Sequence, residues 1–275
     1  MFFSKEIISS RNNPTVKWAA SLKEKKGRGE ASAFMIEGEK LTYEAFEKKL
    51  PVTHVFVRED KAGAILERLR ELDGKYASEA TVILLKNEAF EKISTENAPQ
   101  GVISVLKRLD FFCQKDIIYK EEFSFDKLGK TVALCSVRDP GNLGAVIRSS
   151  VAFGVEHIIL SSDCADVYNP KTVRGAMGSL FRVGITIVSN LEEAIVAMRE
   201  SGRRVFAAEL SDGARSVKDI ELLPSDVFVI GNEGHGIPEN VSRASTHSVY
   251  IPISENTESL NASVAAAVFM WEQSK

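Results

Sequence analysis

Over the first hundred residues two rhythms of apolar positions alternate. Ala33-Phe-Met-Ile36, Val52 to Val57, Thr81 to Leu85 and Gly101 to Leu106 are short apolar, β-branched runs that predict strands. Between them Glu39 to Lys49, Ala62 to Leu72 and Glu88 to Ile93 predict helices. Ahead of these, Asn13 to Lys26 predicts a helix with Trp18 and Leu22 one turn apart and Gly27 as its stop. Alternation of this kind predicts an α/β sandwich and excludes a helical bundle. The rhythm breaks at Asp110 to Lys130, which is mixed in charge, rich in phenylalanine and without a clear period. We read a smaller domain over residues 1–109, a linker over 110–125 and a second domain over 126–275. In the second, strands are predicted at Thr131 to Val137, His157 to Leu160, Arg204 to Ala208, Asp226 to Ile230 and Ser248 to Ile251. Its predicted helices are Leu143 to Phe153, Leu191 to Arg199 and Ala262 to Glu272. Leu191, Ala194, Ile195 and Met198 keep helical spacing and belong to a core, not to a cofactor site.

Three junctions depart from this plain alternation. Asp139-Pro-Gly-Asn-Leu-Gly-Ala-Val-Ile-Arg148 and Gly231-Asn-Glu-Gly-His-Gly236 each follow an apolar strand with a glycine-containing loop. Ligands of open α/β sheets bind at such strand ends, where glycine lets the backbone turn sharply and leaves amides free to donate. Neither loop is a Walker motif, for no Gly-Lys-Ser or Gly-Lys-Thr follows, and Gly231-x-x-Gly234-x-Gly236 reverses the dinucleotide spacing. The third junction runs Ile251-Pro-Ile-Ser-Glu-Asn-Thr-Glu-Ser-Leu-Asn-Ala-Ser-Val-Ala-Ala-Ala267, an acceptor-rich loop that drops into a small-residue helix. Ser259 or Asn261 would cap that helix, and the same short side chains suit a pocket that a small molecule approaches closely. His235 sits inside a glycine turn with no Gly-x-Ser-x-Gly elbow in the chain, which argues against a hydrolase.

Taken in order, the three junctions resemble the signature motifs of the SpoU/TrmH family of RNA ribose 2′-O-methyltransferases. Asn142 and Arg148 stand at the Asn and Arg of the first motif, Gly231-Asn-Glu-Gly234 at the second, and Ser259-Leu-Asn261 at the third. Asn169-Pro-Lys-Thr-Val-Arg174-Gly-Ala-Met-Gly178 resembles the segment between the first two motifs, and Phe34-Met-Ile-Glu-Gly-Glu-Lys-Leu41 resembles the entry of the substrate-binding domain that often precedes the catalytic one. The resemblance implies an α/β-knot (trefoil-knotted SPOUT) domain behind a ribosomal-protein-L-thirty-like α/β domain. It implies S-adenosylmethionine as cofactor, held against Gly231, Asn232, Gly236, Ile251 and Leu260. It also implies that Arg148, Asn142, Glu233, Ser259 and Asn261 serve the reaction, with a central part for Arg148; since arginine stays protonated, we expect Arg148 to stabilise the attacking oxygen and anchor a phosphate instead of acting as a base. The implied substrate is structured RNA, ribosomal RNA ahead of transfer RNA, and the implied assembly is a homodimer formed partly by the last helix. An RNA-binding or assembly factor that keeps the fold without turnover is the alternative from another class.

Composition narrows the picture further. The 275 residues are 44% hydrophobic and 27% charged, so a buried core is available to each of two domains. With 35 Lys and Arg against 38 Asp and Glu the net charge is −3, which excludes indiscriminate coating of polyanions and requires RNA contact to be local. Candidate contacts are Arg11, Lys17, Lys23, Lys25, Lys26 and Arg28 near the N-terminus, and Lys171, Arg174 and Arg182 beside the motif loops. Cys113, Cys135 and Cys164 are odd in number and lack Cys-x-x-Cys spacing, so reduced thiols are expected, without a zinc site. The N-terminus lacks the layout of a signal peptide and no apolar run approaches the ~20 residues of a membrane span, which leads us to expect a cytoplasmic protein.

Overall fold

A computed structural model describes residues 1–109, 112–113, 128–232 and 234–275, the pair 112–113 by its backbone. The chain divides into two compact units, Met1–Asp110 with Tyr168–Gly178 and Phe111–Val167 with Ser179–Lys275.

In the first unit the strands are β1 (Phe2–Ile8), β2 (Ala33–Glu37), β3 (Val52–Arg58), β4 (Thr81–Leu85) and β5 (Val102–Lys107), and the helices are α1 (Pro14–Ser21), α2 (Lys25–Ala31), α3 (Glu39–Glu47), α4 (Ala62–Tyr76) and α5 (Asn87–Ile93). The sheet runs β1-β4-β3-β5-β2, with β4 parallel to both its neighbours and β5 antiparallel to both of its own. Val16, Ala19 and Leu22 of α1 and its turn meet Ala89, Phe90 and Ile93 of α5 over Phe56, Leu85, Ile103 and Val105. β1 is absent from the predicted set because it is an edge strand whose residues are mostly exposed, so it carries no apolar alternation to read.

The predicted helix over Asn13 to Lys26 is two helices, and Gly27 lies within the second instead of stopping the first. A Cβ at Gly27 would lie 2.1 Å from the carbonyl oxygen of Ser21, so glycine is required there by close approach of the two helices. Arg28, 1% exposed, reaches back to donate from Nη1 to the carbonyls of Leu22 and Lys23 at 2.9 and 2.7 Å, which satisfies acceptors left over at the end of α1. Lys23 Nζ in turn donates to the carbonyls of Lys92 and Ser94, and burial lowers its pKa. These two cations build the corner; Arg11, Lys17, Lys25 and Lys26 are the exposed remainder of the basic run.

In the second unit the strands are β6 (Phe112–Cys113), β7 (Thr131–Leu134), β8 (His157–Ser161), β9 (Gly184–Val188), β10 (Val205–Ala208), β11 (Arg215–Ser216), β12 (Val227–Ile230) and β13 (His247–Tyr250). The remaining helices are α6 (Pro140–Ala152), α7 (Pro170–Ala176), α8 (Leu191–Glu200), α9 (Glu239–Ala244) and α10 (Ala262–Gln273), of which α7 belongs by its contacts to the first unit. All pairs in the sheet β11-β13-β10-β12-β7-β8-β9-β6 are parallel. A parallel sheet must be covered on both faces. Val227 and Val229 pack with Leu191, Ile195 and Met198 of α8 and Val241 of α9, while Phe228, pointing the other way, stacks on Phe269 of α10 at 4.8 Å. β6, β9, β11, α7 and α9 are absent from the predicted set, β6 falling within the expected linker.

Two boundaries shift for local reasons. β7 ends at Leu134 because Ser136 takes the left-handed region, φ +57°. α6 begins at Pro140, three residues early, since the Asp139 carboxylate accepts from the amide of Asn142 at 2.9 Å and proline suits a first turn. Cys135 and Cys164 are free thiols; the side chain of Cys113 and the linker 110–125, apart from the backbone of 112–113, lie outside the described residues. No helix among the described residues is long and apolar enough to cross a membrane.

Gly27→Ala is expected to lower the unfolding free energy by roughly 1–3 kcal/mol through overpacking against backbone. Gly29→Ala, with nothing within 4 Å of its Cβ, is expected to raise it by about 0.5–1 kcal/mol through helix propensity. Urea unfolding reads both, and equal effects at the two sites would remove the close-approach explanation.

Candidate functional site

The chain runs outward through β7, β8 and β9, then crosses to lay down β10 on the far side with one place left vacant, into which β12 inserts. Connections leaving β7 and β12 therefore part in opposite directions at their carboxyl ends. Such a switch point opens a crevice.

The loop after β12 is closed on itself. Asn232 and Gly236 exchange backbone hydrogen bonds at 3.2 and 2.8 Å, and Asn232 Oδ1 accepts from the amide of Gly234 at 2.8 Å. A Cβ at Gly231 would lie 2.5 Å from the carbonyl carbon of Gly236, so only glycine allows this closure. Asn232 Nδ2 donates to the carbonyl of Ser136 at 2.9 Å, which pins the β12 loop to the β7 loop. Ser136 is held in its left-handed conformation by two contacts: its amide donates to Ser161 Oγ at 2.8 Å and its hydroxyl to Asp163 Oδ2 at 2.6 Å. Burial pushes the Asp163 carboxyl up, but hydrogen bonds from Ser136, Ser161 and Arg138 outweigh it and hold the pKa down at about 2.

The third junction joins the other two through Asn261. Its Oδ1 accepts from the amide and hydroxyl of Ser263 at 2.9 and 2.6 Å, capping α10, while its Nδ2 donates to Asn142 Oδ1 in the first turn of α6 at 3.1 Å. α10 packs along α6, where Ser150 donates to the Met270 sulfur, and is anchored at its far end by Gln273 Nε2 donating to the carbonyl of Asp226 at 2.8 Å. Residues 252–259 of the connecting loop are exposed throughout.

One cavity lies in this crevice, and Gly231, Asn232, Gly236, Ile251, Leu260 and Ser259 all line it. Asn142 and Asn261 adjoin it through their mutual hydrogen bond without lining it. Arg148 is exposed on the second turn of α6 beyond Asn142 and makes no hydrogen bond or ion pair with a described residue. Glu233 lies outside the described residues. Of the basic residues near the motifs, Lys171 and Arg174 sit on α7 in the first unit, where Arg174 pairs with Glu96 at 2.5 Å, and Arg182 belongs to the second. No described cluster of His, Cys, Asp and Glu could hold a metal ion.

Two acidic residues at the crevice escape a reading of the sequence. Asp163 is one, and Glu209, at the end of β10, is the other: it lines the cavity and accepts from three serine hydroxyls. The only signal of Glu209 in the sequence is a carboxylate directly after a buried apolar run.

A model described as the SpoU rRNA Methylase family matches residues 129–271, more than half the chain, and one described as an MRM3-like substrate binding domain matches residues 13–104. The chain is 27% identical over 267 residues to the 23S rRNA (guanosine(2553)-2′-O)-methyltransferase RlmP of Bacillus subtilis, covering 97% of this chain and 98% of that one. It is 28% identical over 270 residues to a 23S rRNA (uridine(2479)-2′-O)-methyltransferase of Streptomyces viridochromogenes, covering 96% and 90%. Among solved structures, an AdoMet-bound rRNA methyltransferase from Sinorhizobium meliloti aligns with a TM-score of 0.80 at 26% identity over 98% of this chain and 97% of that one.

Replacements of Asn261 separate its two bonds. Asn261→Ala is expected to cost about 1 kcal/mol through the lost cap, whereas Asn261→Asp keeps an acceptor at the helix start and should stay within roughly 0.5 kcal/mol of the wild type. Both should shift the side-chain amide resonances of Asn142. A loss above 1 kcal/mol for Asn261→Asp in denaturant unfolding would assign the stabilisation to the Asn142 bond instead of the cap.

Proposed function

Since the chain belongs to the SpoU rRNA Methylase family, we propose that it transfers the methyl group of S-adenosylmethionine to a ribose 2′-hydroxyl of ribosomal RNA. The observation that carries this reading is the cavity in which Gly231, Asn232, Gly236, Ile251 and Leu260 come together beside the Asn142–Asn261 pair. Relatives that match nearly the whole chain and are named for one RNA are 23S rRNA enzymes, which favours ribosomal over transfer RNA. One is named for guanosine and the other for uridine, so the residues they share with this chain do not by themselves set the base.

The cavity suits an adenosyl group: Ile230, Val249, Ile251, Leu260 and Phe269 offer apolar walls, and the self-closed loop at Gly231 brings backbone rather than side chains to the ligand. When bound, the cofactor supplies a sulfonium methyl that is electrophilic without further activation. What the chain must contribute is position and charge. Asn261 and Asn142 orient the nucleotide from the paired starts of α10 and α6, with Ser259 on the cavity wall; the part the resemblance gives Glu233 lies outside the described residues. Arg148, unpaired by any described residue, is available to hold the attacking oxygen and an adjacent phosphate in its planar fork. A permanently charged donor there acts mainly in the transition state, where negative charge develops on that oxygen.

The same reading extends to assembly. A trefoil knot is supported by β12 inserting beside β7 before α10 returns over it. Homodimerisation is supported by α10, whose Val264 and Trp271 are each 48% exposed and, with half-buried Val268, form an apolar stripe at helical spacing. RNA contact by the first unit is supported by the substrate-binding match and by exposed Arg11, Lys17, Lys25 and Lys26.

Arg148→Ala should cut methyl transfer on the order of a hundredfold or more while cofactor affinity changes only a few-fold. Arg148→Lys should recover little of it. Replacing the target nucleotide by its 2′-deoxy form should abolish transfer, and undiminished methylation of that substrate would place the methyl on the base and overturn the assignment. Light scattering at micromolar concentration should report twice the chain mass; a monomer would remove the dimer.

A further inference from the structure

We infer that Glu209 selects the cofactor by accepting a hydrogen bond from a ribose hydroxyl, a role that rests on S-adenosylmethionine being the ligand of this cavity. Glu209 follows β10, and its amide donates to the carbonyl of Val249 at 2.9 Å, which fixes its backbone between β10 and β13. One carboxylate oxygen, Oε1, accepts from Ser242 Oγ of α9 at 2.6 Å, Ser248 Oγ of β13 at 2.7 Å and Ser211 Oγ at 3.2 Å. Three donors from three segments of the chain fix the carboxylate in place before any ligand arrives, and all are spent on the same oxygen. No described residue donates to Oε2, although Glu209 lines the same cavity as Gly231, Ile251 and Leu260. A preorganised charged acceptor at a cavity wall is built for a donor on the ligand.

Position decides which donor. β12 lies between β10 and β7, so Glu209 stands two strand spacings, about 10 Å, across the sheet from the loop that leads to Asn142. That distance keeps it from the oxygen to be methylated. Its neighbours in the cavity are Leu210, 85% exposed, Val249, Ile251 and Ile253, an apolar surface that suits an adenine ring and not the zwitterionic end of the methionine. With the ring's edge against this apolar surface, the donors that a carboxylate oxygen beside it can meet in pairs are the two hydroxyls of the ribose, and the analogue lacking both tells them from the single amino group of the adenine. Glu209 is thus a positioning residue for the nucleoside half of the cofactor, without contact with the transferred methyl.

Calorimetry with S-adenosylhomocysteine tests this. Glu209→Gln keeps an acceptor for the three serines and should fold with an unchanged melting temperature, yet bind roughly ten- to a hundredfold more weakly, as expected for the loss of a charged acceptor. An S-adenosylhomocysteine analogue with hydrogen in place of both ribose hydroxyls should lose a similar factor against the wild type and nothing further against Glu209→Gln, which closes a double-mutant cycle on this contact. 5′-Methylthioadenosine, which lacks the amino-acid end, should suffer the same Glu209→Gln loss. Equal binding of S-adenosylhomocysteine by both proteins would overturn the role while leaving the cofactor assignment intact. A loss seen with S-adenosylhomocysteine but absent with 5′-methylthioadenosine would overturn it too, moving the contact to the ammonium group. Failure of the wild type to bind S-adenosylhomocysteine would remove the cofactor assignment, and this role with it.

Discussion

β12 is bonded in parallel to β7 on one side and to β10 on the other, and almost every feature of the crevice depends on that insertion. It places the Gly231 loop beside the Ser136 loop, so one amide group, that of Asn232, can tie them together. It also sets the span between the Asn142 turn, which adjoins the cavity, and Glu209, which lines it. Because β12 is apolar and buried at all four positions, its register is fixed by packing on both faces: a slip of one residue would turn Phe228 away from Phe269 and Val227 and Val229 away from α8.

Polar groups in the crevice are economical. Asn261 uses its oxygen for α10 and its nitrogen for Asn142, Asn232 uses its oxygen for its own loop and its nitrogen for the neighbouring one, and Asp163 collects Ser136, Ser161 and Arg138. Each side chain with two bonding ends joins two segments far apart in sequence. A crevice assembled this way is rigid where it meets the sheet, because a loop cannot move without breaking a bond that also serves its neighbour.

What could be read from the sequence follows from how local each cause is. The buried runs of β7 and β12 and the periodic helices α8 and α10 are decided by contacts that repeat along the chain, and their outlines are legible. The glycine loop that follows β12 is legible for the same reason, whereas Gly231, Asn232, Gly236, Ile251 and Leu260 are singled out as a set only through the resemblance to SpoU/TrmH enzymes, and the structure puts them around one cavity. Gly27 looked like a helix stop because local rules know only backbone conformation, whereas its cause is the carbonyl of Ser21 on another helix. Arg28 and Lys23 stand among the candidate RNA contacts in the sequence, but both spend their donors on backbone carbonyls that no local pattern announces. Glu209 is invisible in the sequence because two of its three serine partners, Ser242 and Ser248, lie 33 and 39 residues away and are brought to it only by the folded sheet; Ser211 alone is local.

The walls of the cavity differ in kind. Glu209, Ile230, Gly231 and Val249 belong to strands of the sheet or to residues next to them, but Ile253, Ser259 and Leu260 come from the exposed connection between β13 and α10. Within that connection the hydrogen bonds are short-range, from the amides of Asn256 and Thr257 back to Ser254 and from the Thr257 hydroxyl to the carbonyl of Ser259. Displacing it breaks no ladder bond and exposes little apolar surface, so its opening free energy lies far below that of the sheet. Entry and exit of a small molecule can therefore be timed by one side of the cavity while the other stays fixed. Residence time and affinity become separately adjustable: substitutions between Ile253 and Thr257 change the rates of arrival and departure together, and changes at the strand ends alter how tightly the molecule is held.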